Sequence, residues 1–342
     1  MNRNPLLQLG SLLMVAMIIS SCTPSALTVK GAGESIDLVM GDWAGHRVMS
    51  NGMVAPVAVQ SIALGGSKYR FNLHTYFDRR DDGPEMSFEG QLQGGRIMVP
   101  ENPDMEATLN GGTISGRSAG KVAQSFELTH VKRLSPALGA KPPAGAVVLF
   151  DGTSLNAWER RDVKQRATPV SWKLIDGAME VTPGGGDIVS KRKFTNFQLH
   201  IEFRSPFMPE ARGQARGNSG VYLQGRYEVQ VLDSYGLTGE DNECGGIYKV
   251  SKPRVNMCAP PGQWQTYDAT FHAPRFDGEG KKVKDAVVTV IHNGVVIHED
   301  LVVPGPTGSA VDDDVQLPGG LLLQDHGNLV QFRNIWLVEQ KN

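Results

Sequence analysis

Two stretches of this chain gather the side chains best suited to chemistry. Residues 217–233 read as two β-strands joined by a tight turn at Gly225-Arg226. Side chains alternate across a strand, so Val221 and Leu223 share one face and Tyr222 and Gln224 the other. In the next strand Val229 and Val231 oppose Glu228 and Gln230. A strand needs one apolar face to bury, but burial does not call for a Tyr, two Gln and a Glu on the opposite face. Such a face suits a sugar, which offers hydroxyls to amides and carboxylates and C–H faces to rings. The plain alternative is a solvated sheet face. Residues 320–326 read as a strand that places Leu322, Gln324 and His326 on one face. Glu228 is the first candidate for proton transfer. His326, a residue type able to relay protons or bind a metal, is the second. Asp233 ends the Glu228 strand and either orients a partner or caps the following turn. Tyr222, Gln224, Gln230, Tyr248 and Gln324 are candidates for contacting hydroxyls or a ring face. Arg333 either polarises a carbonyl oxygen or neutralises Glu228.

The elements that must hold these residues are strands. In residues 38–133 seven short strands are expected, at 57–64, 68–76, 85–91, 96–99, 107–109, 113–118 and 125–131, with Asn110-Gly111-Gly112 as a hairpin signal. They predict a small barrel or curled sheet, and the opening Gly41-Asp42-Trp43-Ala44-Gly45 is loosely similar to lipocalin-like barrels. No catalytic cluster is visible in this unit. Residues 134–146 contain three Pro and form a semi-extended linker. From 147 onward the chain alternates short strands with turns, of which Asp176-Gly177 and Asn293-Gly294 are two-residue hairpin turns. Ten or more strands with almost no helical period fit two antiparallel sheets packed face to face, a jelly-roll sandwich. The fold class is therefore all-β: a small barrel-like domain followed by a sandwich over 147–342.

The ends and the composition bound the setting. Arg3, an apolar run over 12–19 and Ile19-Ser20-Ser21-Cys22 resemble a bacterial lipoprotein signal. Residues 1–21 are then removed, Cys22 is acylated, and residues 22–37 form a tether. Thr23 after the Cys suggests the outer membrane, with the acyl chains holding the protein at a surface without spanning it. A formal net charge of −2 without a basic stripe excludes a nucleic-acid partner. In an oxidising compartment Cys244 and Cys258 invite a disulfide worth about 3 kcal/mol, the alternative being two buried thiols. No Cys-x-x-Cys or clustered His accompanies them, which argues against zinc.

Several segments taken in order resemble the 3-keto-disaccharide hydrolase family, also described as 3-keto-glucoside hydrolases or lyases. They include Leu149-Phe150-Asp151-Gly152, residues 197–203, 217–223 and 227–233, Gly245-Gly246-Ile247-Tyr248, Trp264-Gln265-Thr266-Tyr267-Asp268, residues 323–327, and Phe332-Arg333-Asn334-Ile335-Trp336. Trp264-Gln265 stands where many relatives carry Trp-Asn. The resemblance implies a concanavalin-like jelly roll acting on oxidised sugars in the bacterial envelope. A C3 ketone acidifies the C2 hydrogen, so a base can remove it and the C1 substituent can leave by elimination. That route needs a base over C2, an electrophile near the C3 oxygen and an acid near the glycosidic oxygen. A divalent ion held by Glu228, His326 and substrate oxygens would assist the enolate, although the sequence does not require one. A non-catalytic carbohydrate-binding module using the same groove is the alternative. A glucanase-type endo-glycosidase is disfavoured, because Gln230 occupies the middle of Glu228-Val229-Gln230-Val231-Leu232-Asp233.

Overall fold

The computed structural model describes residues 37–77, 83–118, 124–161 and 169–341. The signal segment, Cys22 and the tether up to residue 36 lie outside the described residues. No α-helix occurs among the described residues, and one turn of 3-10 helix spans Gly213–Ala215.

Eight strands close into a barrel: β1 Gly41–Met49, β2 Val54–Gly65, β3 Lys68–His74, β4 Met86–Gln93, β5 Arg96–Met98, β6 Met105–Asn110, β7 Thr113–Ser118 and β8 Gln124–Val131. β1 is one more strand than the sequence pattern predicts. Its Gly41-Asp42-Trp43 opening already lies in the ladder, and β1 joins β2 to β8 to close the cylinder. Closure removes both sheet edges. Trp43 is fully buried at one end, where its Nε1 donates to Val39 O at 2.8 Å.

The second lobe is a sandwich. Its smaller sheet orders β10 Trp158–Arg160, β13 Ile188–Ser190, β22 Leu322–Leu323, β15 Ser219–Leu223 and β16 Tyr227–Val231. The larger sheet orders β11 Lys173–Ile175, β12 Ala178–Glu180, β23 Gln331–Glu339, β14 Phe197–Arg204, β17 Gln265–His272, β20 Ala286–His292 and β21 Val295–Val303, with β9 Val147–Phe150 against β23. A short ribbon, β18 Arg275–Phe276 with β19 Lys282–Lys284, stands apart. Alternation sends Phe197, Leu199, Ile201 and Phe203 of β14 into the core; Phe197 meets Phe271, and Tyr227 of the smaller sheet meets Phe271 at 5.1 Å between centroids. Asp176-Gly177 and Asn293-Gly294 take positive φ at both positions, 49° and 75° and then 50° and 83°. That is the twist a two-residue hairpin needs.

The outer face of the larger sheet is covered as well. His200 and Glu202 alternate away from the core yet are fully buried, because residues 135–140 of the linker lie over them. Glu202 Oε1 accepts from Gly139 N at 2.6 Å and from Asn334 Nδ2 at 2.9 Å. Asp268 Oδ1 lies 2.6 Å from His200 Nδ1, and Ser135 Oγ is 2.7 Å from Thr266 Oγ1. Burial alone would lower the His200 pKa, but the bonds and charges of Asp268 and Glu202 outweigh it and raise it to about 9. Burial alone would raise Glu202, but hydrogen bonds from His200, Asn334, Gly139 and Arg333 hold it down at about 2. The linker is thus pinned by charge-assisted hydrogen bonds rather than free.

The barrel meets the sandwich through the outer face of β2 and β3. Asn72 Nδ2 donates to Gly236 O at 2.8 Å, Tyr235 Oη to Asp42 Oδ1 at 2.6 Å, and Arg216 Nη1 to Ala63 O at 3.2 Å. Ile62 packs where any side chain at Gly236 would have to sit. Asn72 points out of the barrel and is buried at this interface, while the outward Gln60 and His74 are buried as a pair, 3.2 Å apart.

Candidate active site on the smaller sheet

β15 and β16 pair so that Tyr222 faces Glu228 and Gly220 faces Gln230. Val221, Val229 and Val231 turn to the core, which leaves Gly220, Tyr222, Glu228 and Gln230 on the outer face. Glycine at 220 is a steric requirement. A Cβ there would fall 2.4 Å from Glu228 Oε1 and 2.7 Å from Tyr222 Cε2. The Glu228 carboxyl therefore lies over the Gly220 backbone, hydrogen-bonded to the Tyr222 hydroxyl.

Glu228 is only 2% exposed. Burial raises its pKa to about 8; the Tyr222 hydrogen bond opposes this in part, and the negative charge of Asp187 adds to it. Tyr222 is raised too, first by burial and then by Glu228, so its hydroxyl keeps its proton. That single proton has two acceptors, Glu228 and Gly308 O at 3.2 Å. When Glu228 is protonated it can donate to the Tyr222 oxygen, freeing the phenolic proton for Gly308. Gln324, just past β22, donates from Nε2 to Tyr222 Oη at 3.1 Å and from its backbone N to Gly220 O at 3.1 Å.

Two groups that sequence reasoning missed complete the surroundings. Asp187 precedes β13; its Oδ1 accepts from Asp325 N at 2.9 Å and its Oδ2 from Arg161 Nη1 at 3.1 Å. Arg161 also donates to Ser309 O at 2.9 Å and to Ala310 O at 2.7 Å. Residues 307–310 thereby form a roof over the pair, tied down further by Thr307 Oγ1, which accepts from Glu228 N at 3.0 Å. No local pattern could have shown this, since Arg161 and Ser309 are 148 positions apart.

The other expected site residues fall in different places. Gln230 is buried, and its Nε2 donates to Gln214 Oε1 at 3.1 Å, so protein groups already occupy it. Tyr248 is half-buried beside Gly308, and its backbone N donates to Glu228 O at 3.2 Å. Gln224 is not on the polar face. The turn falls at Gln224-Gly225, with φ of 52° and 69°, one residue earlier than the sequence reading has it. Its amide donates instead to Phe194 O and Thr195 O at 2.9 and 3.1 Å. Arg333 lies on β23 of the other sheet, 2.6 Å from Glu202 and over the Trp264 ring, so it neutralises Glu202 rather than Glu228. Asp233 accepts from Arg216 Nε at 2.6 Å and is buried; burial raises its pKa and Arg216 pulls against that. Regular pairing in β22 stops at Leu323, and His326 is exposed on the loop beyond it.

His292 and His298, on either side of the Asn293-Gly294 turn, are buried. His292 is on the core face of β20, its Nε2 3.0 Å from Gln265 Oε1, and burial lowers its pKa to about 3. Cys244 and Cys258 are brought together in the core as thiols hydrogen-bonded to one another. Among the described residues no group of three or more His, Cys, Asp or Glu side chains is placed to hold a metal ion; Glu228 is buried while His326 is exposed.

The second lobe is thus a two-sheet β-sandwich with a buried carboxyl, a phenol and an amide on one sheet face. The chain is a member of the 3-keto-alpha-glucoside-1,2-lyase-like domain family, whose model matches residues 145–338. It is 28% identical over 106 residues to a 3-keto-disaccharide hydrolase of Bacteroides thetaiotaomicron, a match spanning 28% of this chain and 32% of that protein's length. A crystal structure of a Parabacteroides distasonis ATCC 8503 protein, provisionally designated a glycosyl hydrolase, is 42% identical and covers 58% of this chain and 85% of its own, with a TM-score of 0.52.

Proposed function

We propose that the sandwich lobe cleaves 3-keto-glycosides by elimination at C2–C1, followed by hydration, with Glu228 moving the C2 proton. The observation that carries this is the Glu228 carboxyl, buried against Tyr222 with a pKa of about 8. A base is most effective when its pKa lies near the working pH, and an ordinary exposed Glu is too weak. In its ionised form Glu228 takes H2. The C–H pair forms the C2=C3 enolate, with Tyr222 donating to the C3 oxygen. Collapse of the enolate restores the ketone, forms C1=C2 and expels the aglycone oxygen. Water then adds at C1, giving up one proton to His326, and Glu228, having exchanged its proton with solvent, protonates C2. His326, at the exposed rim two residues past Gln324, is the group proposed to protonate the departing oxygen. Gln324 and Tyr248 line the approach, and residues 307–310 lift to admit the sugar. No step needs a metal ion.

The chain is further proposed to be an envelope lipoprotein acylated at Cys22 and held at the outer membrane. The test of the function is to incubate the protein in D2O with a 3-keto-disaccharide and with its unoxidised parent. Cleavage of the oxidised sugar alone, with deuterium at C2 of the product, is expected. Cleavage without C2 deuterium would replace elimination by direct displacement. Saturable binding of the sugar with no turnover would make the lobe a binding module.

A further inference from the structure

The barrel holds a partly open space of about 170 Å³ whose wall is almost entirely carbon. Phe71, Phe88, Ala107, Ile114 and Phe126 supply much of that wall from five different strands. An eight-stranded barrel has an interior just wide enough either to be filled by its own side chains or to hold one small ligand. Close-packed interiors rarely leave a void this large. Apolar cavities of about 150 Å³ stay dry and accept benzene.

The sequence explains the room. Two inward positions are Gly90 and Gly116, and aromatic rings come close to the backbone there. Phe71 Cε2 is 3.2 Å from where a Cβ of Gly90 would stand, and Phe126 Cζ 2.5 Å from that of Gly116. The rings are held at the wall, so the centre stays unfilled. One end is plugged by Trp43, edge-on to His130. Arg47 lines the space nearer the other end. Its Nη2 donates to Glu85 at 3.3 Å, but its Nε is buried with no hydrogen-bond partner among the described residues.

These features select a ligand class. A bare alkyl chain would fill the volume and leave the Arg47 Nε–H unpaired, at the usual cost of a buried lone donor. A carboxylate would meet Glu85, which already pairs with Arg47. A neutral aromatic ring carrying one oxygen avoids both faults, with the Phe71–Phe88 stack and Phe126 offering ring faces and edges. We propose that the barrel is a binding site for small neutral monocyclic phenols. The proposal stands apart from the reading of Glu228.

The test titrates 4-fluorophenol into the full chain and follows its fluorine resonance, with fluorobenzene, cyclohexanol and benzoate in parallel. Saturable binding with Kd on the order of 0.1–1 mM is expected for so few atoms. Ala107→Leu, which fills the space, is expected to weaken binding at least tenfold, and Arg47→Met to erase the preference for 4-fluorophenol over fluorobenzene. Ile114→Phe serves the same purpose if Ala107→Leu does not fold. Three results would overturn the proposal: no saturation by about 10 mM; cyclohexanol or benzoate binding as tightly; or binding undiminished in both filled variants.

Discussion

Tyr222 and Glu228 stand directly opposite each other across β15 and β16, phenol hydrogen-bonded to carboxyl, with Gly220 leaving the space in which the carboxyl lies. Because the pair is almost wholly buried, each group perturbs the other strongly. The pairing ties a reactive proton affinity to strand register.

Glu228→Gln is expected to lower kcat/KM for a 3-keto-disaccharide by about 10²-fold or more, the usual scale for losing a general base. In the wild type kcat/KM should still be climbing as pH passes through about 8, because the ionised carboxyl is the base. Stability should run the other way. A carboxyl raised from 4.5 to about 8 keeps its proton in the fold while the unfolded chain loses it, so the native state weakens as pH rises between those values. Glu228→Gln removes that loss. Its melting temperature should match the wild type at pH 4 and exceed it at pH 9. A flat difference across that range would contradict the buried-acid assignment.

His326→Ala distinguishes a rim acid from a bystander. Departure of a nitrophenol needs little protonation, whereas departure of a sugar alkoxide needs much. Turnover of 3-keto-disaccharides should fall by roughly 10²-fold and that of 3-keto-nitrophenyl glycosides by far less. Equal losses for both leaving groups would remove His326 from the chemistry.

The linker cluster predicts a stability plateau. His200 is raised from 6.5 to about 9, so its contribution is complete below 6.5 and is lost as pH climbs through 9. Glu202 is lowered from 4.5 to about 2, so its contribution is complete above 4.5 and is lost as pH falls through 2. Both are in place between 4.5 and 6.5. Glu202→Gln should cost about 3 kcal/mol in that window, since it leaves Arg333 and a charged His200 short of their counter-ion. Urea melts of the two proteins across pH measure it.

The cysteine pair is expected to oxidise on export. Thiol labelling of the exported, unreduced and denatured protein should find neither Cys244 nor Cys258 reactive. Two labelled positions would mean that the thiol pair persists. Cys22→Ala tests the anchor separately. The wild type should partition with membranes and carry acyl mass, and the variant should do neither.

Much of the architecture follows from local rules. Asp176-Gly177 and Asn293-Gly294 set their hairpins through backbone preference alone, and period-two alternation places Tyr222 and Glu228 on one face. Misplaced residues are those whose fate depends on distant chain. Gln224 looks like a strand position until the turn consumes it. Arg333 looks available for Glu228 until pairing of β14 with β23 sets it against Glu202. His292 looks exposed beside a Gly turn, but it lies on the core face of β20 against Phe203 and Tyr267. Asp187 and Arg161 carry no local mark at all; only the folding of residues 307–310 across the sheet gives them a role.

The contacts of Arg216, Tyr235 and Gly236 with β1, β2 and β3 bear on the ancestry of the chain. A sandwich that lost its barrel would bare a notch shaped for Ile62 and strip Tyr235 of its acceptor. Kin built from the sandwich alone therefore have no reason to keep that trio. The three positions should be inherited or replaced together with the barrel, a fingerprint legible in any homologue before its structure is known.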